Sequence, residues 1–232
     1  MIKNILFDLD DTLFDFHKAE KIALAETLRR MNIEPEEKIL ARYSELNLQQ
    51  WKLLELGKLS REQVKVRRFQ LLFEELGAEC SAEKTTAVYE KLLGMGHYFV
   101  EGAEELLSGL YGRYRMYVVS NGTAAVQESR IKSSCIEKYL DGIFISQYVG
   151  YEKPRKEFFD YCFAHIPDFR REETVIVGDS LSSDIKGGLN SGITAIWFNP
   201  SGAAADCGIL PDYEIRKLSE LVPLISFFRN FR

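Results

Sequence analysis

Five short apolar runs, rich in residues that favour β-strands, constrain the fold of this chain more than any other feature. They cover residues 5–7, 116–119, 143–145, 175–177 and 195–198. From the second run onward they alternate with stretches of helical periodicity, which is the pattern of βαβ units. The sequence therefore predicts an α/β fold of three layers, with a Rossmann-like parallel sheet between helices.

The stretch from 8 to 115 contains no comparable apolar run and has a helical pattern instead. Apolar residues recur there at helical spacing, and glycines follow where that spacing stops. Ser60-Arg61-Glu62-Gln63 is a capping box for a helix that should end near Gly77, and Ser81 can cap another that ends before Gly94. The pattern predicts four helices, over 17–31, 36–56, 61–76 and 82–93.

These four helices predict a second domain inserted into the first. We expect an all-helical cap domain over 16–96 and a core domain made of 1–15 and 97–232. The hinges should lie near Phe14-Asp15-Phe16 and Gly94-Met95-Gly96, since glycine accepts the backbone changes that a hinge absorbs. The alternative is that the glycines only end helices.

The composition excludes several functional classes. The 232 residues are 46% apolar and 28% charged, as in a folded globular protein, and the net charge of −5 argues against a nucleic-acid surface. No run approaches the ~18 apolar residues of a membrane span, and no signal-peptide apolar region opens the chain. We expect a cytoplasmic protein without nucleic-acid or membrane partners, either a monomer or a weak homo-oligomer.

The cysteines have no metal-binding or C-x-x-C spacing. They are Cys80, Cys135, Cys162 and Cys207, far apart in the chain. Such spacing favours free, buried thiols in a reducing compartment over a disulfide framework.

Asp8 and Asp10 directly follow the first apolar run. Residues two apart on an extended chain point to the same side, and open α/β sheets bind ligands at the carboxyl ends of their strands. Adjacent carboxylates repel each other unless a cation shares the site, so the pair suits Mg²⁺ and a phosphate. The alternative is a solvated turn, or a helix cap formed by Asp10-Asp11-Thr12.

Two further motifs could bind an anion at the same edge of the sheet. Ser120-Asn121-Gly122 follows the second run and offers a hydroxyl, an amide and backbone N–H groups ahead of a helix. Lys153-Pro154 should open a later helix, with Pro154 in its first position, and Lys153 can supply a fixed positive charge. The alternatives are an ordinary helix start and a solvated lysine.

Asp179 and Asp184 follow the fourth run in the motif Gly178-Asp179-x4-Asp184. We expect Asp179 at the strand tip and Asp184 just inside the next helix. Magnesium favours a few carboxylates together with substrate oxygens and water, so both acids are candidate ligands. The alternative for Asp184 is a plain acidic residue in a first helical turn.

The order of these motifs resembles that of the haloacid-dehalogenase superfamily of phosphatases. Asp-x-Asp, Ser-Asn, Lys-Pro and Gly-Asp-x4-Asp occur in register from residue 5 to about 198, and the inserted helices match the superfamily's first type of cap. The resemblance implies hydrolysis of phosphomonoesters that depends on Mg²⁺, or on Mn²⁺ in its place. It also implies an aspartyl-phosphate intermediate.

The resemblance implies a role for each motif residue. Asp8 would be the nucleophile and Asp10 the general acid and base. Because Asp10 is an acid, a carbon–halogen substrate is not expected. The phosphoryl oxygens would be bound by Ser120, the Asn121 backbone and Lys153. The metal would be held by Asp8, the main-chain carbonyl of Asp10 and Asp179, with Asp184 binding it directly or through water.

A narrower resemblance is to the bacterial pyrimidine 5′-nucleotidases. It rests on residues 8–14, 47–57, 68–69 and 187–192, and it implies dUMP, dTMP or UMP as substrate. Phe14 or Trp51 would stack on the base, and Asn47 or Arg68 would make polar contacts with it. The alternative for Trp51 is packing within the cap.

Other functions remain open from the sequence alone. Nothing in the cap excludes a sugar-phosphate or phosphoglycolate phosphatase, or a phosphosugar mutase. A phosphorylated receiver module would also gather acids and a lysine on a parallel sheet, but it is shorter and has no inserted cap. The expected partner is a small phosphorylated metabolite in each enzymatic case.

Overall fold

The sheet of the computed structural model, which describes residues 1–205 and 208–228, has six strands. They are β1 (Asn4–Phe7), β2 (Arg115–Ser120), β3 (Gly142–Ile145), β4 (Thr174–Gly178), β5 (Thr194–Phe198) and β6 (Tyr213–Ile215). The order across the sheet is β3-β2-β1-β4-β5-β6, and every neighbouring pair is parallel. The carboxyl end of β1 therefore lies between those of β2 and β4.

Helices cover both faces of the sheet and also form a separate group. They are α1 (Phe16–Arg30), α2 (Glu37–Glu55), α3 (Arg61–Leu76), α4 (Ala82–Leu93), α5 (Ala103–Leu110), α6 (Ala124–Ser133), α7 (Ser146–Val149), α8 (Lys156–Ala164), α9 (Lys186–Asn190) and α10 (Leu221–Phe227). A π-helical turn spans Leu181–Ile185, and short 3-10 helices span Ile136–Tyr139, Arg171–Glu173 and Leu218–Glu220.

Alternate strand residues face opposite layers because side chains alternate along an extended chain. On β1, Ile5 and Phe7 join the core cluster that α5, α6 and α10 cover, whereas Leu6 joins the cluster under α8. A third cluster, which includes Leu24, Tyr43 and Phe69, lies among α1–α4. The predicted fold, a three-layer parallel sheet with an inserted helical cap, is confirmed. The division into 16–96 and the flanking core segments stays a prediction.

The helix ends in the cap follow from local sequence. Ser60 and Gln63 form the predicted capping box, in which Ser60 N donates to Gln63 Oε1 at 2.8 Å and Gln63 N donates to Ser60 Oγ at 3.2 Å. Gly77 ends α3 in the left-handed region with φ of 61°, which glycine adopts without steric cost. Ser81 Oγ accepts from Lys84 N at 3.3 Å and caps α4.

Three sequence-based expectations need correction. Pro154 does not occupy the first position of a helix, since α8 begins at Lys156. The strand β6 was not predicted. Only Cys162 of the described cysteines is a buried thiol, because Cys80 is half-buried and Cys135 exposed, and Cys207 lies outside the described residues. Over the described ranges, the helices all lack the combination of length and apolar character that crossing a bilayer requires.

Candidate functional site

Three carboxylates converge at the carboxyl end of the sheet. Asp8 directly follows β1, and its backbone N–H extends the strand pairing by donating to Val177 O at 2.9 Å. Asp179 follows β4, and Asp184 lies in the π-helical turn behind it. Oxygen atoms of Asp8, Asp179 and Asp184 all lie within 4.8 Å of one another. The structure thus brings together three of the four acids that the sequence suggested as metal ligands.

The position of Asp184 depends on the glycine that ends β4. A Cβ on Gly178 would lie 2.3 Å from Asp184 Oδ2, so a side chain there would displace the carboxylate. Ser180 N donates to the same oxygen at 3.2 Å. Thr12, which the sequence suggested only as part of a helix cap, fixes Asp179 by accepting from its backbone N–H at 3.1 Å and donating to Oδ1 at 3.3 Å.

Lys153 is buried among these acids. Its ammonium donates to Asp8 Oδ1 at 2.5 Å, to Asp184 Oδ1 at 2.6 Å and to Val119 O at 2.7 Å. Asn121 holds the lysine backbone, since its side chain accepts from Lys153 N and donates to Lys153 O, both at 2.9 Å. The lysine is therefore fixed at both ends, and its three N–H donors all have protein acceptors.

Burial and charge shift the proton affinities in this group. Burial raises the pKa of Asp8 to about 8, with Lys153 opposing the shift and Asp184 adding to it. Burial also raises the pKa of Asp179 well above its ordinary value, and the Asp8 charge adds to that shift. Burial alone would lower the pKa of Lys153, but the carboxylates of Asp184 and Asp8 raise it overall. The site holds more carboxylate than Lys153 neutralises, and hard oxygen donors in this arrangement fit a divalent cation such as Mg²⁺.

The carboxylate of Asp10 points away from this group, toward α6. Gln127 Nε2 donates to Asp10 Oδ2 at 2.7 Å, and Arg130 Nη1 forms an ion pair with Oδ1. Neither partner belongs to the four sequence motifs, although their spacing of three residues places them on one helix face. The predicted contact between Asp10 and the metal is through its main-chain carbonyl. The position of the side chain does not test that contact, which stays a prediction.

The loop after β2 faces the same cavity. Ser120 Oγ is buried and accepts from Gly122 N at 3.1 Å and from Gln127 Nε2 at 2.9 Å. The carbonyls of Asn121 and Gly122 accept from Arg61 Nη1 at 2.5 and 2.9 Å. Arg61 is the first residue of α3, so a cap side chain is attached to the loop beside the site. In the sequence, Arg61 was recognisable only as part of a capping box.

One cavity of about 560 Å³ joins the acids to the cap. Small-molecule sites usually have volumes of about 300–1,000 Å³, so the space suits a metabolite. Its core end includes Asp8, Asp10, Lys153, Asp179 and Asp184. Its cap end includes Phe16, Glu20, Ser44, Asn47, Leu48, Trp51 and Arg68.

A hydrogen-bond network fixes the polar side chains of the cap end. Asn47 Nδ2 donates to Glu20 Oε1 at 2.8 Å, while Asn47 Oδ1 accepts from Arg68 Nη1 at 2.8 Å and from Trp51 Nε1 at 3.0 Å. Burial raises the pKa of Glu20, although a hydrogen bond from Ser44 opposes the shift. Asn47, Trp51 and Arg68 all line the cavity, and their contact with a substrate stays a prediction.

Phe14 does not lie in the cavity, so the prediction that it stacks on a base is wrong. Its ring is fully buried in the core cluster, with the Phe99 ring 5.3 Å away between centroids. The guanidinium of Arg130 also lies over the ring, 5.2 Å from its centroid. The residue packs the junction of core and cap instead.

Asp11 has the capping role that was the alternative for the acidic motif. Its Oδ1 accepts from Phe16 N at 2.9 Å and from His17 N at 3.3 Å, at the start of α1. Asp11 lines the same cavity as its neighbours Asp8 and Asp10. The motif therefore places three acids beside the cavity, and one of them also binds the start of α1.

Comparison with known proteins identifies the family. The model of the haloacid dehalogenase-like hydrolases matches residues 5–198. The chain belongs to this family. The resemblance that the motifs indicated is therefore confirmed, and this haloacid dehalogenase-like hydrolase keeps all four motifs at the carboxyl edge of its sheet.

Relatives of this haloacid dehalogenase-like hydrolase match it over nearly its whole length. The HAD-hydrolase YfnB of Bacillus subtilis is 38% identical, over 97% of this chain and 95% of the relative. The magnesium-bound crystal structure of YfnB superposes with a TM-score of 0.92, over 97% of this chain and 99% of that chain. The pyrimidine 5′-nucleotidase PynA of Streptococcus pneumoniae is 34% identical, over 97% of this chain and 95% of PynA. The pyrimidine 5′-nucleotidase YjjG of Escherichia coli is 29% identical, over 95% of this chain and 96% of YjjG.

Proposed function

We propose that this hydrolase cleaves the phosphate ester of pyrimidine nucleoside 5′-monophosphates, with dUMP, dTMP and UMP as substrates. The observation that carries the proposal is the continuous cavity between the Asp8–Lys153 group and the polar network of the cap. One end suits a phosphate and the other suits a flat polar ring. The relatives PynA and YjjG, both named pyrimidine 5′-nucleotidases, support the substrate class.

The chemistry would proceed in two steps at adjacent carboxylates. An oxygen of Asp8 attacks phosphorus and the bond to the nucleoside oxygen breaks, while Asp10 gives that leaving oxygen a proton. Asp10 then accepts a proton from water, which attacks the phosphorus of the aspartyl-phosphate. Inorganic phosphate leaves and the carboxylate of Asp8 is restored. Asp10 suits both proton transfers because it lines the cavity but lies outside the group formed by the three converging acids.

The phosphoryl group would be held by Ser120, the backbone of Asn121 and Lys153. All three ammonium donors of Lys153 already have acceptors, so a phosphoryl oxygen would replace one of them. A charge-assisted bond to a dianion is stronger than the bond to the neutral Val119 carbonyl, which favours exchange at that acceptor.

A divalent metal would be held by Asp8, Asp179 and Asp184, with the main-chain carbonyl of Asp10 as a further ligand. When bound, Mg²⁺ supplies positive charge that offsets the repulsion among the carboxylates and polarises the phosphoryl group. The oxygen donor set would also accept Mn²⁺. Burial raises the pKa of Asp8, and a bound cation would oppose that shift by favouring the carboxylate.

Phosphate release from purified protein tests the proposal. The substrates are dUMP, dTMP, UMP, 2-phosphoglycolate and glucose 6-phosphate, each with Mg²⁺, with Mn²⁺ and with EDTA. We expect repeated turnover, fastest on the nucleotides, that EDTA and Asp8→Asn both abolish. Faster turnover of a sugar phosphate or of phosphoglycolate would contradict the nucleotide assignment. Phosphoryl transfer without free phosphate would indicate a mutase, and a single stoichiometric phosphorylation would indicate a receiver.

Base recognition has its own test at Trp51. Stacking on a base is worth ~1–3 kcal/mol, so Trp51→Ala should lower kcat/KM for dUMP by about 5- to 150-fold. The same change should leave p-nitrophenyl phosphate hydrolysis nearly unaffected. Leu56→Ala is a matched control, since Leu56 caps the same helix and is 67% exposed. Equal losses on both substrates would reject base stacking and favour a packing role.

A further inference from the structure

We infer that Arg130 and Gln127 of α6 are positioning residues that hold Asp10 for proton transfer. The inference rests on the proposed function, in which Asp10 is the general acid and base. It adds two residues outside the four sequence motifs, and it assigns them a measurable effect on one step of the reaction.

Each oxygen of Asp10 has its own donor on α6. Gln127 Nε2 donates to Oδ2 at 2.7 Å, and Arg130 Nη1 pairs with Oδ1. Arg130 Nη1 also donates to Gln127 Oε1 at 3.0 Å, so the two donors fix each other. The carboxylate can therefore rotate little, while its 28% exposed side chain still borders the cavity.

The loop after β2 is shaped to admit Gln127. A Cβ on Gly122 would lie 2.3 Å from Gln127 Nε2, so the absence of a side chain there lets the amide reach Asp10. The same amide nitrogen donates to Ser120 Oγ at 2.9 Å. Gln127 thus sets the distance between Asp10 and the hydroxyl that we propose binds phosphate.

Arg130 links Asp10 to both chain segments that connect core and cap. Its Nε donates to Gly96 O at 2.7 Å in the returning segment. Its guanidinium lies 5.2 Å from the Phe14 ring centroid and 6.0 Å from that of Phe16 in the outgoing segment. The side chain is fully buried, and within the described residues its Nη2 has no hydrogen-bond partner. A buried guanidinium with an unsatisfied nitrogen is costly for stability alone, which favours a functional reason for its presence.

Displacing a general acid slows the hydrolysis of a substrate more strongly when the leaving group of that substrate is more basic. Expulsion of a weakly basic p-nitrophenolate needs little protonation, whereas expulsion of phenolate or 4-methoxyphenolate needs more. Positioned acid catalysis contributes about 10²–10⁴-fold to rate. A series of aryl phosphates of nearly equal shape therefore separates a proton-transfer defect from loss of folded protein.

The test measures kcat/KM, which reports the step that expels the leaving group, for p-nitrophenyl, phenyl and 4-methoxyphenyl phosphate with Mg²⁺. For Arg130→Met we expect about a 100-fold loss on phenyl phosphate and less than about 5-fold on p-nitrophenyl phosphate. Gln127→Met should show the same trend with a smaller ratio, and it decides the matter if the arginine variant does not fold. Arg130→Lys should recover part of the loss, because it restores one charged donor.

Asn4→Ala serves as a structural control. Asn4 is also fully buried and donates to Thr174 Oγ1 at 3.0 Å, but it lies at the opposite end of β1 from the site. We expect a lower melting temperature and an unchanged ratio between substrates. Equal losses across the aryl series for both α6 variants would overturn the inference and leave the proposed function intact. A wild-type protein that releases phosphate from no aryl phosphate or nucleotide would overturn both.

Discussion

Replacing Lys153 by methionine should destabilise the metal-free protein by about 3–5 kcal/mol, the usual cost of removing one partner from a buried ion pair. Lys153 is 1% exposed, and its ammonium pairs with Asp8 and Asp184, which are themselves buried. Methionine preserves most of the volume but leaves both carboxylates and Val119 O without this donor. The unfolding equilibrium constant should rise by about 100- to 4,000-fold.

Urea unfolding followed by circular dichroism in EDTA measures this change. Lys156→Met is the matched control, because Lys156 is exposed and its ion pair with Asp160 lies on the surface of α8. Such exposed pairs are worth at most about 1 kcal/mol. Saturating Mg²⁺ should stabilise Lys153→Met more than the wild type, since the cation restores positive charge between the carboxylates. Equal stability of the two lysine variants in EDTA would refute the argument.

Three further changes have definite expectations. Arg61→Met should raise KM for dUMP about tenfold, because the charged hydrogen bonds from Arg61 to the core carbonyls are lost. Steady-state kinetics measures this change, and an unchanged KM would show that the contact does not affect substrate binding. Burial raises the pKa of Glu20 in the folded state above 4.5. The free energy of unfolding of the wild type should therefore fall as the pH rises from 4.5 through the folded-state pKa. Glu20→Gln should remove that fall. Urea unfolding between pH 4.5 and 8 measures it, and a pH-independent difference would contradict it. Gly178→Ala should weaken Mg²⁺ binding at least tenfold by calorimetry, because its Cβ would strike Asp184, whereas Gly109→Ala meets nothing within 4 Å and should match the wild type.

The sheet was predictable where burial leaves a continuous signal in the sequence. Parallel strands buried on both faces read as apolar runs, and all five predicted runs fall in β1–β5. The strand β6 escaped detection because it lies at an edge, has three residues, and buries only Ile215. The capping box at Ser60 was readable because its hydrogen bonds join residues three apart in the chain.

The site was predictable only as far as local motifs reach. Asp8 and Asp179 follow apolar strands, so the parallel topology alone brings them to one edge. Arg130 could not be found in this way, because a basic residue on a helix usually faces solvent and only the tertiary fold buries it against Asp10. The opposite error occurred at Phe14, where an aromatic residue beside a catalytic motif was assigned to substrate although its ring completes the core.

The hydrogen bonds between Asp11 and the start of α1 have a consequence for how this fold can diversify. Asp11 lies in the loop that carries Asp8 and Asp10, and it accepts hydrogen bonds from the first N–H groups of α1. A movement of α1 would therefore also move Asp8 and Asp10. Within residues 1–205 and 208–228, no hydrogen bond or ion pair joins a side chain of α2 or α3 to that loop. Selection can therefore exchange residues on those two helices to suit new metabolites while the phosphate chemistry persists unchanged.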